Sequence, residues 1–239
     1  MTTICIIPAR GGSKRIPRKN IKKFCGKPMI AYSIDVAKKS KIFDHIIVST
    51  DNIEIADTAK YFGADVPFMR PDNISDDFTG TIDVIAHATR MSEQYYNQKF
   101  EHICCLYATS PFVQSQYLQS AYDLLKSSDV DFIIPVTSFP FPIQRAVKID
   151  DNKLIPFSED DMRKRSQDLD EAYHDAGQFY WGTYKAWTEK KDIWSNNVSP
   201  IILPRHLVQD IDTPEDWIQA EMMHHSLSCL LYTSPSPRD

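Results

Sequence analysis

The stretch Ile4-Cys5-Ile6-Ile7-Pro8-Ala9-Arg10-Gly11-Gly12-Ser13-Lys14-Arg15-Ile16-Pro17-Arg18-Lys19-Asn20 decides how the chain is read. An apolar run of buried-strand type stops at Pro8, and residues 10–19 then hold two glycines and five cationic side chains. A strand that empties into such a loop can gather backbone N–H groups and positive charge around a polyphosphate. Glycine lets the backbone come close because no Cβ intervenes. Arg10 can grip phosphate oxygens in pairs, while Lys14 and Lys19 act as movable point charges. A solvated basic loop is the plainer reading, yet such loops seldom place Pro-Ala-Arg-Gly-Gly directly after a buried strand. Neither Gly-x-x-x-x-Gly-Lys-Ser/Thr nor Gly-x-Gly-x-x-Gly is present, so P-loop kinases and dinucleotide dehydrogenases are disfavoured.

Outward from this loop, apolar strands alternate with amphipathic helices. Strands are expected at residues 4–8, 45–49, 66–68, 102–107, 132–136, 178–183 and 200–203. Helices are expected at 28–39, from a cap at Asp51 or Asn52 to a stop at Gly63, at 81–95 and at 117–126. This order predicts an α/β, Rossmann-like, mostly parallel sheet with helices on both faces. Ligands of such sheets bind at the carboxyl ends of the strands. The basic loop, Ser49-Thr50-Asp51, Ala108-Thr109-Ser110-Pro111 and Thr137-Ser138 all fall there. Residues 139–180 break the pattern with Phe139-Pro140-Phe141-Pro142 and a strongly polar run, which reads as an inserted lid or dimerisation arm.

The formal net charge of −5 disfavours general nucleic-acid binding, and the cations concentrated near residues 10–23 suit a small anionic ligand. No apolar run is long enough for a membrane span and no signal peptide is visible, so a cytoplasmic protein is expected. The five cysteines lack metal-site spacing. Cys104 and Cys105 should point to opposite faces of one strand. Residues 229–239 read as a non-native, adapter-like tail after a single domain at 1–228, with the natural end expected to be cut near Ser228.

The second strong signal is Asp210-Ile211-Asp212-Thr213-Pro214-Glu215-Asp216. In extended backbone Asp210 and Asp212 share a face, roughly 6–7 Å apart. Two such carboxylates call for a cation, and Mg²⁺ suits hard oxygen ligands next to phosphate. Asp216 reads instead as a capping residue, with Thr213 as N-cap and Pro214 in the first turn. Asp210 is the firmer metal ligand of the pair, and a lysine partner for it is the structural alternative.

The two signals, separated by about 190 residues, together resemble the nonulosonic-acid cytidylyltransferases, the family that includes the CMP-sialic acid synthetases. The resemblance runs from about Ile4 to Leu227. It implies a nucleotidyltransferase fold and transfer of CMP from CTP, with Mg²⁺, to the anomeric hydroxyl of a nine-carbon acidic sugar. The middle segments around 137–145 and 165–181 look most like the branch that acts on pseudaminic acid. Sialic-acid enzymes usually carry an arginine where Val113 stands here, which disfavours ordinary sialic acid. By the resemblance, Arg10, Lys14 and Asp210 are catalytic, and Asp210 and Asp212 bind metal. Ala9, Arg10, Gly11, Gly12, Ser13, Lys14, Lys19, Asn20, Thr79, Thr81 and Ser110 hold the nucleotide. Arg145 and Arg165 are candidates for the sugar carboxylate, with Gln144, Tyr173, His174 and Gln178 around the polyol. A homodimer is implied. Synthetases for sialic or legionaminic acid, and a glycosyltransferase or nucleotide-binding module of a different class, are the competing readings.

Overall fold

The computed structural model describes residues 2–233. In chain order the elements are β1 (Thr3–Pro8), β2 (Lys23–Phe24), β3 (Lys27–Pro28), α1 (Met29–Ser40), β4 (His45–Ser49), α2 (Ile53–Phe62), α3 (Thr81–Tyr96), β5 (His102–Leu106) and α4 (Ser115–Ser127). There follow β6 (Phe132–Ser138), β7 (Val147–Asp150), β8 (Lys153–Pro156), α5 (Glu159–Met162), β9 (Tyr173–Asp175), β10 (Phe179–Thr183), α6 (Tyr184–Thr188), β11 (Val198–Ile202) and α7 (Pro214–Thr233).

The main sheet has the order β11-β6-β10-β5-β1-β4, with β9 added to β6. β1 pairs in parallel with β4 and β5, and β6 in parallel with β11. β10 runs antiparallel between β5 and β6. The expected mostly parallel sheet therefore forms, with β10 and the added β9 reversed.

Side-chain alternation along β1 divides the core into two layers. Cys5 and Ile7 pack with Ile34 of α1, Ile55 of α2 and Leu118 of α4. Ile4 and Ile6 pack with Ile85 of α3 and Trp187 of α6 on the other face. Cys104 and Cys105 fall into opposite layers, as alternation requires. Gly182 is dictated by this packing, because a Cβ there would stand 2.6 Å from ring atoms of Phe132 and Trp187. Asn52 caps α2 by accepting from the Ile55 N–H, and Gly63 ends it at φ 91°.

Two expectations fail. Residues 66–68 form no strand; only Asp65 bridges to Ile47. Pro67 has no N–H for a ladder, and the chain instead bends so that Arg70 N–H donates to Thr50 O. Asp210 and Asp212 lie in irregular chain after a short 3₁₀ turn (Arg205–Leu207), not on a strand. β11 ends at Ile202, and Pro204 turns the chain away from the sheet. The capping role of Asp216 holds: its Oδ2 accepts from Asp212 N, Thr213 N and Thr213 Oγ1, and Thr213 Oγ1 accepts from Asp216 N. Helix α7 continues to Thr233, through the first five residues expected as tail. Residues 234–239 lie outside the described residues.

Within 139–180, β7 and β8 form a separate hairpin whose turn residues Asp151 and Asn152 take positive φ. Ile149, Leu154 and Phe157 on this arm are exposed by 75%, 71% and 70% in the order Ile149, Phe157, Leu154.

Candidate active site

A third apolar cluster explains how two distant parts of the sequence meet. Ile16 of the basic loop and Ile211, set between the two aspartates, are both buried with Phe24, Phe112, Leu207 and Trp217. With Ile16 and Ile211 buried in one cluster, the polar residues beside them are brought to a common cleft. Lys19 Nζ donates to Ile211 O at 2.7 Å and to Asp212 Oδ1 at 3.2 Å. Arg15 donates to Asp212 Oδ2 at 2.8 Å. The cleft, about 240 Å³, lies at the carboxyl ends of β1 and β5 and is lined by Arg10, Ser13, Lys14, Lys19, Tyr107 and Asp212 among others.

The loop after β1 is held by the neighbouring βα turn. Ala9, itself buried, extends the ladder by donating to Ser49 O. Gly11 N–H donates to Asp51 Oδ1 at 2.8 Å, and a Cβ on Gly11 would meet Asn52 Cβ at 3.0 Å. Glycine at 11 thus permits the close approach of the α2 cap. The space above Gly12 is open. Asn20 is buried and donates to Arg10 O at 2.9 Å, so it shapes the loop from below.

Arg10 and Lys14 both contact the Asp77 carboxylate, and Arg10 also donates to Asp76 O at 3.0 Å. Lys14 and then Arg10 hold the Asp77 carboxyl below its ordinary pKa. Asp76 Oδ1 in turn accepts from Phe78 N, Thr79 N and Thr79 Oγ1, which fixes the turn before α3. A carboxylate thus occupies the two cations assigned to phosphate. We expect Asp77→Asn to tighten CTP binding by about two- to fivefold, the range of an exposed ion pair, as calorimetric titration would show. Unchanged or weaker binding would mean that Asp77 does not compete with the nucleotide.

Asp210 is one residue from Ile211, and among the described residues it makes no ion pair. Partial desolvation, and then the charge of Asp212, push its carboxyl above the ordinary pKa, with Lys19 acting in the opposite sense. No cluster of three or more His, Cys, Asp or Glu suited to a metal occurs among the described residues. A pair of carboxylates beside a phosphate cleft still fits Mg²⁺, which takes one or two carboxylates and fills its shell with phosphate oxygens and water. Asp210 is the freer ligand, since Asp212 is already held by Arg15 and Lys19.

The remaining residues divide by place. Thr81 Oγ1 lies 3.0 Å from Tyr107 OH, and Tyr180 OH donates to Asp175 Oδ2. Ser110 and Gln178 are 3% exposed and bond to main chain: Ser110 Oγ to Gln178 O, and Gln178 Nε2 to Leu207 O. They support the floor of the site and the turn that leads to Asp210. The His174 ring lies tilted against Phe139, with centroids 4.8 Å apart, and its Nδ1 lies 2.8 Å from Asp175 O. Tyr173 OH donates to Glu171, and Gln144 Nε2 to Asp170 O. Arg145 contacts Lys164 O and Arg165 pairs with Asp168, both within the arm.

Sequence reasoning missed Arg70 and Tyr107. Arg70 is 5% exposed, and its Nε and one Nη have no partner among the described residues. Desolvation lowers its pKa, and the charges of Asp51 and Arg10 reach it with opposite effect. An arginine set between Met69 and Pro71 in an apolar stretch was the available signal. Tyr107 closes the strand that precedes Ala108, and desolvation raises its hydroxyl pKa far above ordinary.

Known proteins agree with this geometry. The family described as Cytidylyltransferase matches residues 4–213. The chain is 47% identical over 225 residues to the pseudaminic acid cytidylyltransferase of Campylobacter jejuni subsp. jejuni serotype O:23/36 (strain 81-176), spanning 94% of this chain and 97% of that one. It is 31% identical to the CMP-N,N'-diacetyllegionaminic acid synthase of Legionella pneumophila, spanning 93% and 96%. Among solved structures, a CMP:2-keto-3-deoxy-manno-octonic acid synthetase shares the fold with TM-score 0.70 at 14% identity, covering 95% of this chain and 100% of that one. A sheet of this order, a glycine-and-arginine loop at its first strand and a match over residues 4–213 lead to one conclusion: the chain belongs to the cytidylyltransferase family.

Proposed function

We propose that this protein transfers CMP from CTP to the anomeric hydroxyl of pseudaminic acid and releases pyrophosphate. The observation that carries the proposal is the burial of Ile16 with Ile211, which sets the basic loop and Asp212 on one cleft, with Asp210 on the other side of Ile211 in the chain. The choice of sugar rests on likeness to pseudaminic acid cytidylyltransferases. Val113, buried in the core at 9% exposure, supports it, because that position offers no cation to a sialate.

In this reading the sugar oxygen bonds to the α-phosphorus in line as the bond from that phosphorus to pyrophosphate breaks. The hydroxyl proton passes to solvent water as the attack proceeds. Catalysis is then largely positioning and neutralisation of charge. Arg10 and Lys14 exchange Asp77 for the leaving pyrophosphate, and open space at Gly12 lets the loop backbone approach phosphate. Lys19 and Asn20 hold the loop in shape. Thr79 and Thr81 flank the ribose and base. The unpartnered N–H groups of Arg70 suit the O2 and N3 acceptors of cytosine. Mg²⁺, held by Asp210 with Asp212 beside it, would supply positive charge at the phosphate oxygens. Residues 1–228 act as one nucleotidyltransferase domain in the cytoplasm, with 139–180 as its insertion.

The arm is read as a homodimer contact because Ile149, Leu154 and Phe157 expose large apolar groups. We expect the double variant Ile149→Asp, Leu154→Asp to be monomeric in light scattering while the parent is a dimer. A monomeric parent would end the dimer reading. The function itself is tested by pyrophosphate release from CTP with purified pseudaminic, legionaminic and N-acetylneuraminic acids. The highest kcat/KM is expected with pseudaminic acid. A preference for another sugar acid would replace the substrate, and no release with any of them would remove the activity.

A further inference from the structure

A second cleft, of about 490 Å³, runs along helix α3. Asp83, His87, Arg90 and Gln94 line it at the three- and four-residue spacing that puts side chains on one helix face. Asn73, Ile74, Thr79 and Lys190 border it from outside the helix. The volume lies in the usual range of about 300–1,000 Å³ for small-molecule sites. No residue lines both this cleft and the phosphate cleft.

The α3 cleft is short of negative charge. Its lining carries Arg90, Lys190 and His87 against one carboxylate, Asp83. That carboxylate is already engaged, because Lys190 Nζ lies 2.6 Å from Asp83 Oδ1. Arg90 makes no ion pair among the described residues. One of its Nη atoms donates to Thr188 O at 2.8 Å, which leaves other donors of the guanidinium for a ligand. His87 Nδ1 is buried with no partner among the described residues. Burial, and then the charges of Arg70 and Arg90, hold the imidazole below its ordinary pKa. Ile74, Ala86 and Met91 give the same cleft an apolar wall. Such a lining suits a small organic anion: the guanidinium takes the oxyanion head with paired hydrogen bonds, and the wall covers the carbon body.

One segment joins this cleft to the nucleotide site. Asn73, Ile74 and Thr79 line the cleft, and between them in the chain Asp77 holds Arg10 and Lys14. Asp76 ties the segment together: its Oδ1 accepts from Thr79 N and Thr79 Oγ1, and its carbonyl accepts from Arg10. The cleft is open in the arrangement in which Asp77 occupies both cations. A ligand shifts an equilibrium toward the state it binds better. One that fits the cleft as it stands favours this arrangement over that in which a nucleotide has displaced Asp77.

We propose that the α3 cleft is a regulatory site for a small organic anion, which weakens CTP binding by keeping Asp77 on Arg10 and Lys14. The proposal goes beyond the functional reading and rests on it only for CTP as the displaced nucleotide. The probes are phenyl phosphate and benzoate, an oxyanion head on an apolar body in each case. CTP is titrated by calorimetry into the full chain at rising probe concentration, and the His87 imidazole resonances are followed by NMR. The Kd for CTP is expected to rise by about 5- to 20-fold and then level off, as coupled sites require, with the His87 resonances shifting over the same range. Arg90→Ala should bind CTP as the wild type does and lose both responses. Asp77→Asn should keep the His87 shift and lose the effect on CTP. Either probe giving this pattern supports the site, and the difference between them names the head group. A Kd that rises without levelling off would place the probe in the phosphate cleft and overturn the proposal. So would no response to either probe, or responses that survive Arg90→Ala. A wild type that binds no CTP would remove the functional reading, whereas Arg90-dependent shifts of His87 would still show the site.

Discussion

Asp210→Ala is expected to reduce Mg²⁺-dependent pyrophosphate release by about a thousandfold or more, the several kcal/mol that a bound metal supplies to phosphoryl chemistry. Asp210 sits in irregular chain and makes no ion pair among the described residues, so its loss should leave the thermal unfolding midpoint nearly unchanged. That separates a metal role from a structural one. Turnover close to that of the wild type would refute the role.

The same carboxyl gives a pH signature. Desolvation and the charge of Asp212 raise its pKa, so on acidification it gains a proton at a higher pH than an ordinary carboxylate. A protonated carboxyl cannot bind Mg²⁺, so the Mg²⁺ concentration needed for half-maximal rate should rise as pH falls. Asp212→Asn removes the like charge, lowers the Asp210 pKa and should move that acid limb to lower pH. A limb that stays in place would place the titrating group elsewhere.

Lys14→Ala is expected to raise KM for CTP by about 10- to 100-fold with the sugar KM little changed, because one charge-assisted contact to a phosphate is lost. The Lys14 side chain is 81% exposed and among the described residues pairs only with Asp77, so the fold does not depend on it. A loss confined to CTP use therefore reads directly on the phosphate site. Unchanged CTP kinetics would remove Lys14 from that site.

Much of this was legible in the sequence because it is local chemistry. The abrupt end of β1 at Pro8, the glycine-and-cation loop, the Asn52 and Gly63 caps and the Thr213–Asp216 capping pair each depend on residues a few positions apart. The co-location of loop and aspartates was implied by the family resemblance, and its cause appears only in three dimensions, where Ile16 and Ile211 enter one apolar cluster. Residues 66–68 misled because three apolar positions resemble a short strand until the missing N–H of Pro67 is counted. That Arg145 contacts Lys164 O and Arg165 pairs with Asp168 is not visible in the sequence, because these partners meet only in the folded arm. Arg70 was overlooked for the converse reason: that its Nε and one Nη lack a partner among the described residues can be seen only once the surroundings are folded.

The account stands on one Mg²⁺-triphosphate being held from both ends of the chain. Calorimetric titration of CTP, with and without Mg²⁺, into the wild type and into Asp210→Asn tests this most directly. Mg²⁺ should tighten CTP binding to the wild type, and should leave the variant at its metal-free affinity. Equal tightening by Mg²⁺ in both proteins would contradict it.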